Sequence, residues 1–374
     1  MPTLVVCPAG NGDASTARFA MPADRSSGPT VLFLVPDIHA LQTGGNVYNR
    51  RMIEGLRPHT DVRVRPWTPD ETPAGALDCA GADVIVIDSL LAQHPEAVRA
   101  LRAACPGGTL VLLTHYLTCV DPYTAAPSAA ADEQAALAEM DGAITTSQYV
   151  RQALVDEGLS AERVAAVRPG LQARYRGALS LRLGRRAPRL LTVANLLPTK
   201  GLRAFVDVLS RLRGLPWTWH LVGNRSLDAE YATEVRRRLR AAGLAGRVVW
   251  TGVVAPEVLR SWYDRADLFV LPSRFETCSL STREAMARGL PVVGYRVGGL
   301  PENFGESRAG ALAPPGNDRA LAAALRTLLA DPLARRRRGR AAWRRSQSFP
   351  TWGRAAQRFR KTLRALHART VQAS

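Results

Sequence analysis

The run Asp267-Leu-Phe-Val-Leu-Pro-Ser-Arg-Phe-Glu276-Thr-Cys-Ser-Leu-Ser-Thr-Arg-Glu284-Ala-Met-Ala-Arg-Gly289-Leu-Pro291 reads, in order, as strand, loop, helix and stop. Leu268 to Leu271 is wholly apolar, as a buried parallel strand requires. Ser281 and Thr282 offer side-chain oxygens where the helix should begin, and Gly289 followed by Pro291 ends it. Glu276 and Glu284, with seven residues between them, therefore fall in the loop at the strand's carboxyl end and in the first turns of the next helix. In open α/β sheets that edge is where ligands bind. Two carboxylates beside helix-terminal N–H groups suit a ligand that carries both sugar hydroxyls and phosphate.

The same alternation runs outward from this segment. Val-, Ile- and Leu-rich runs predict strands at 31–35, 62–65, 84–87, 109–114, 143–146 and 163–167. After an interruption near 183–188 they resume at 190–194, 218–222, 248–251, 268–271 and 292–295. Helical patterns lie between most of them, for example at 47–56, 95–104, 202–213, 229–242 and 256–265. Such alternation implies an α/β fold of two doubly wound, mostly parallel halves facing each other across a cleft. The halves are expected at 29–182 and 183–350. Residues 1–28, rich in Gly, Pro, Ala and Ser and without a secretory apolar stretch, are expected to be a disordered leader. A last helix at 351–374 carries Trp352, Ala356 and Phe359 at helical spacing and is expected to cross back to the first half.

Composition narrows the class. A chain of 374 residues, 46% apolar and 22% charged, has the length for two ordinary domains with separate cores. Five scattered cysteines without a CxxC argue for a reducing, cytoplasmic compartment, no disulfide framework and no zinc site. No apolar stretch approaches the ~18 residues that a membrane-spanning helix needs. The net charge of +18 is concentrated: after Asp331 there are thirteen basic residues and no acid, whereas the other 37 bases face 32 acids, a surplus of 5. A nucleic-acid surface would spread such charge and interleave aromatics, so nucleic acid is not an expected partner. The basic tail reads as a solvated helical face, or as a peripheral contact with an anionic membrane.

Three further segments carry candidate chemistry. Gly44-Gly45 lies between the first strand and its helix, where backbone can approach a ligand closely. Lys200, one of two lysines against 48 arginines, sits in the turn Asn195-Leu-Leu-Pro-Thr-Lys200-Gly201 after the first strand of the second half. Gly298-Gly299-Leu-Pro-Glu302 forms a third glycine-rich turn at a strand end.

Together, Glu276-x7-Glu284, Lys200-Gly201, Gly289-x-Pro291, Gly298-Gly299-x-x-Glu302 and Gly44-Gly45 resemble glycosyltransferase family 4, over roughly residues 30–365. The resemblance implies the GT-B fold of two Rossmann-like domains and retaining transfer from a nucleotide sugar. Position by position, it implies that Glu276 holds the donor sugar, Glu284 the ribose and Lys200 the diphosphate. Backbone around Thr277, Cys278, Ser279 and Leu280 would help Lys200, and Gly44 and Gly45 would close on the phosphates and acceptor. His115 matches a histidine found beside the donor sugar in that family. Two positions depart from its pattern: Asn195 stands where an arginine is usual, so that a second cation is missing or comes from Arg203 or Arg274, and Thr277-Cys278-Ser279 replaces a glycine-rich loop. With no Asp-x-Asp at a strand end, the leaving group's charge falls to Lys200 and helix-terminal N–H groups, with no metal or other cofactor. The partners so implied are a UDP- or GDP-sugar and a hydroxyl acceptor: a glycan, a lipid-linked acceptor or a small molecule. A nucleotide-sugar epimerase, a nucleic-acid-binding protein and an inactive scaffold are the alternatives.

Overall fold

In the computed structural model, residues 28–67, 79–123, 126–179 and 187–373 are described. Residues 1–27 of the leader expected at 1–28, and the junction expected between the halves at 182–183, lie outside them.

The first half runs β1 (Val31–Val35), α1 (Gly44–Leu56), β2 (Val62–Pro66), β3 (Val84–Asp88), α2 (Pro95–Ala104) and β4 (Thr109–Thr114). It continues with α3 (Pro127–Leu137), β5 (Gly142–Thr145), α4 (Gln148–Asp156) and β6 (Val164–Ala166). Its six strands are parallel in the order β2-β1-β3-β4-β5-β6. The second half runs β7 (Arg189–Val193), α5 (Leu202–Ser210), β8 (Thr218–Val222), α6 (Ala229–Ala241), β9 (Val248–Gly252) and α7 (Pro256–Arg265). It continues with β10 (Leu268–Leu271), α8 (Leu280–Ala287), β11 (Val292–Tyr295), α9 (Leu300–Phe304), β12 (Gly310–Ala313) and α10 (Asp318–Ala330). These strands are parallel too, ordered β12-β11-β10-β7-β8-β9. The order reverses between β1 and β3 in the first sheet and between β7 and β10 in the second. At such switch points the loops leave in opposite directions and open a crevice at the strands' carboxyl ends.

Helix α11 (Pro332–Ser346) covers α8, and α12 (Trp352–Ala373) returns to the first half. Ala355, Ala356, Phe359, Leu363 and Leu366 of α12 are buried in one cluster with Phe33, Met52 and Ile144 of the first sheet and α1. Two expectations need correction. Strand β12, Gly310-Ala-Leu-Ala, has no β-branched residue and so gave no strand signal. Cys79 and Cys105 form a disulfide, so the cysteines are not five isolated thiols and the argument from them to a reducing cytoplasm loses its ground. Among the described residues no helix is long and apolar enough to cross a membrane.

Candidate active site

Both switch points place polar side chains at the sheet edge. After β7 the chain makes a short helical turn, Pro198–Lys200, and leaves it through Gly201 at φ 66°. A side chain on Gly201 would lie 2.0 Å from the Pro272 carbonyl oxygen, so only glycine lets the loops after β7 and β10 meet. The Arg274 N–H donates to the Thr199 carbonyl at 2.8 Å and stitches the same two loops together. That contact sets Lys200 against Glu276: Lys200 Nζ donates to Glu276 Oε1 at 2.7 Å, and the Ser273 hydroxyl donates to the same oxygen at 2.7 Å. The Glu276 side chain is 8% exposed and that of Lys200 25%. Glu276 Oε2 has no protein partner among the described residues, and two of the three ammonium hydrogens are likewise uncommitted.

A second glycine turn holds the glutamate loop from below. Gly298, at φ 50°, brings its α-carbon so close that a side chain would fall 2.1 Å from the Glu276 carbonyl oxygen. That oxygen accepts the Gly299 N–H at 2.8 Å. Gly298-Gly299 thus braces Glu276. Helix α8 then begins at Leu280, capped by Ser279 at φ 61° with its hydroxyl turned to the Thr282 N–H at 3.4 Å. The expected caps Ser281 and Thr282 lie inside the helix, because the cap falls at Ser279, two residues before the first of them. Cys278 is buried, with Arg283 Nη1 3.9 Å from its sulfur, and Asn303 Nδ2 donates to its carbonyl at 2.6 Å. Its thiol therefore faces the interior, and Thr277 and Ser279 are the half-buried members of this loop. Asn195 braces a neighbouring loop by accepting the Asn224 N–H at 3.1 Å. Of the two cations expected in its place, Arg203 and Arg274 both have exposed side chains, and the Arg274 stem lies near Gly201.

Glu284 stands one helical turn beyond Leu280 and accepts the Tyr263 hydroxyl at 2.8 Å. Burial pushes its carboxyl up from 4.5 to about 7, against the pull of the Tyr263 bond and of Arg174.

The first half supplies the opposite wall. Helix α1 begins at Gly44, not at Val47 as the pattern suggested, because Thr43 caps it by accepting the Asn46 N–H at 3.1 Å. Gly44 and Gly45 are thus its first turn. A side chain on Gly44 would stand 3.9 Å from the Leu280 methyl, so the starts of α1 and α8 face each other. One on Gly45 would stand 3.1 Å from the His115 ring. His115, just past β4, has its pKa lowered by burial, with Asp88 opposing. The structure therefore gathers Gly44, Gly45, His115, Lys200, Glu276 and Leu280 along one cleft. Sequence reasoning passed over Ser273, Tyr263, Asn49 and Asp88; only Asp88, a lone acid closing an apolar strand, left a readable signal.

Two convergent helix starts and a lysine suit an anion, and flanking carboxylates suit hydroxyls. Residues 187–331 match the family model described as glycosyl transferases group 1. Sucrose-phosphate synthase from Thermosynechococcus elongatus superposes with a TM-score of 0.74 at 22% identity, covering 92% of this chain and 100% of that one. Anabaena HepE in complex with UDP-glucose gives 0.72 at 19% identity, with coverage of 92% and 100%. The fold is GT-B. In sequence the chain is 32% identical over 220 residues to a glycogen synthase of Mycobacterium tuberculosis, covering 57% of this chain and 51% of that relative. The chain thus spans about half the length of the curated relatives it matches.

Proposed function

We propose that this GT-B protein is a retaining glycosyltransferase of family 4, moving a sugar from a UDP- or GDP-sugar to a hydroxyl acceptor. The observation that carries the reading is the Lys200–Glu276 pair at the second sheet's switch point, opposite the start of α1. The matched domain and the sugar-nucleotide complex of HepE support it.

In this reading the free oxygen of Glu276 accepts donor-sugar hydroxyls, and Glu284 accepts those of the ribose. The uncommitted Lys200 hydrogens and the N–H groups opening α8 and α1 meet the diphosphate. As the bond from the anomeric carbon to the phosphate oxygen breaks, negative charge builds where these fixed donors already point. The acceptor oxygen bonds the same face of that carbon and its proton passes to the departing phosphate, so no protein nucleophile is needed. In this reading the protein meets the leaving group's charge without a metal and works in the cytoplasm or at the cytoplasmic face of a membrane.

The test is a thermal-shift screen of the full chain against UDP- and GDP-sugars, followed by anomeric analysis of any product with and without chelator. A sugar nucleotide should raise the melting temperature by mass action. The Lys200→Ala variant should bind more weakly and lose about 10²-fold or more in turnover. Transfer with inverted stereochemistry, or normal turnover without Lys200, refutes the reading.

A further inference from the structure

Behind the cleft, three side chains from separate elements form a buried relay. His115 follows β4, Asn49 lies within α1 and Asp88 ends β3. Asn49 is 0% and Asp88 3% exposed. Asn49 Nδ2 donates to Asp88 Oδ2 at 2.7 Å, and Asn49 Oδ1 stands 2.6 Å from His115 Nε2. Asp88 Oδ1 accepts the Leu90 N–H at 3.0 Å.

The chemistry of these groups fixes the position of a proton. A carboxylate only accepts, so Asn49 must turn its amide hydrogens toward Asp88. Its carbonyl oxygen then faces the imidazole and also only accepts, so Nε2 must carry the hydrogen. Asp88 Oδ2, 3.6 Å from Nε2, favours the same arrangement. A neutral imidazole has a single N–H, which leaves Nδ1 as a bare lone pair. Around the ring, Tyr48 stands edge-on at 5.5 Å between centroids, and Gly45 covers the edge from Cβ through Cδ2. The opposite edge carries Nδ1, which has no partner among the described residues, and the side chain keeps 14% of its surface exposed.

We propose that Asn49 and Asp88 are positioning residues that lock His115 as the Nε2–H tautomer, so that Nδ1 accepts a hydrogen bond from a substrate hydroxyl in the cleft. The relay makes His115 a selector. A hydroxyl donates to the lone pair, whereas a carboxylate or phosphate oxygen at that point meets it with like polarity. This goes further than the glycosyltransferase reading and rests on it only for the identity of the hydroxyl.

The tautomer can be read without any substrate. Full-length protein carrying ¹⁵N-histidine should show His115, assigned through its loss in His115→Phe, with protonated Nε2 and bare Nδ1 at neutral pH. A protonated Nδ1, or averaging between tautomers, in the wild type overturns the proposal. In Asp88→Asn the ring signals should move toward the tautomer average, and unchanged signals there refute the role of Asp88. For substrate, the sugar nucleotide giving the largest thermal shift is compared with its monodeoxy analogues. One analogue should bind roughly 2- to 10-fold more weakly to the wild type. That difference should shrink in Asp88→Asn; equal binding of every analogue by the wild type overturns the hydroxyl assignment. If no sugar nucleotide binds, the glycosyltransferase reading fails, while the spectrum still decides the tautomer.

Discussion

The buried carboxyl of Glu284 ties stability to pH and, in the proposed donor site, would tie nucleotide binding to it as well. With its pKa raised from 4.5 to about 7, the folded chain keeps a proton that the unfolded chain releases over that interval. The group's contribution to stability is therefore fully present at or below about pH 4.5, declines as pH rises toward 7, and is flat beyond. Binding runs the other way. If Glu284 holds the ribose as proposed, the ionised carboxylate would accept its hydroxyls and the neutral acid only weakly, so nucleotide affinity should rise between about pH 6 and 8 and then level off. Glu284→Gln should lose both trends, because its amide does not titrate. Calorimetric titration of nucleotide into both proteins across this range checks the sign, and a wild-type affinity that falls with rising pH contradicts the assignment. The spacing of Glu276 and Glu284 was legible because strand and helix geometry fix where an acid at each position must lie. The raised pKa of Glu284 was not, since it comes from burial that only the folded chain provides, with the Tyr263 hydroxyl pulling against it.

Helix α8 concentrates what a short element can do for a site. It spans Leu280–Ala287, and its cap Ser279 is the one non-glycine residue at positive φ among the described residues. An L-residue in that conformation costs about 1 kcal/mol, and a serine cap recovers a comparable amount. Glycine keeps most of the capping benefit without the strain, so Ser279→Gly should stabilise the protein by about 0.5 kcal/mol. Ser279→Ala keeps the strain and loses the cap, so it should destabilise by about 1 kcal/mol. Urea denaturation of the three proteins should rank them Gly, Ser, Ala; the reverse order refutes the account of the cap. The beginning of this helix misled the sequence reading for the same reason. Ser279, Ser281 and Thr282 are all able caps, and only the turn fixed by the Gly298-Gly299 brace selects among them. At α1 the Gly44-Gly45 pair looked like a loop because glycine disfavours helix, yet the Thr43 cap and the contact with His115 outweigh that preference.

At the scale of the molecule, the two sheets were legible from period alone and their approach was not. Strand runs and intervening helices dictate two doubly wound halves, but nothing in the spacing of Glu302 shows that it reaches across the cleft. Glu302 Oε1 accepts the N–H of Tyr149, in the first turn of α4, at 2.7 Å, and Oε2 pairs with Arg168 at 2.9 Å. An acid from α9 thereby meets the positive end of a helix in the other half. Arg168 is 45% exposed, so the ion pair is screened and the clasp is worth no more than about 1 kcal/mol. A bond of that size cannot lock the halves together, but it can bias an equilibrium between open and closed arrangements by up to about fivefold. In the proposed donor site Gly44 and His115 come from one half and Lys200 and Glu276 from the other, so only a closed arrangement would present that site complete. Glu302→Ala should therefore raise the KM for the sugar nucleotide by up to about fivefold with kcat nearly unchanged, because the closed complex, once formed, is the same. The ligand-free variant should also scatter X-rays with a larger radius of gyration than the wild type and return to the wild-type value with saturating nucleotide. A drop in kcat with unaltered KM, together with an unchanged scattering profile, shows instead that Glu302 acts within the second half and that the clasp does not govern closure.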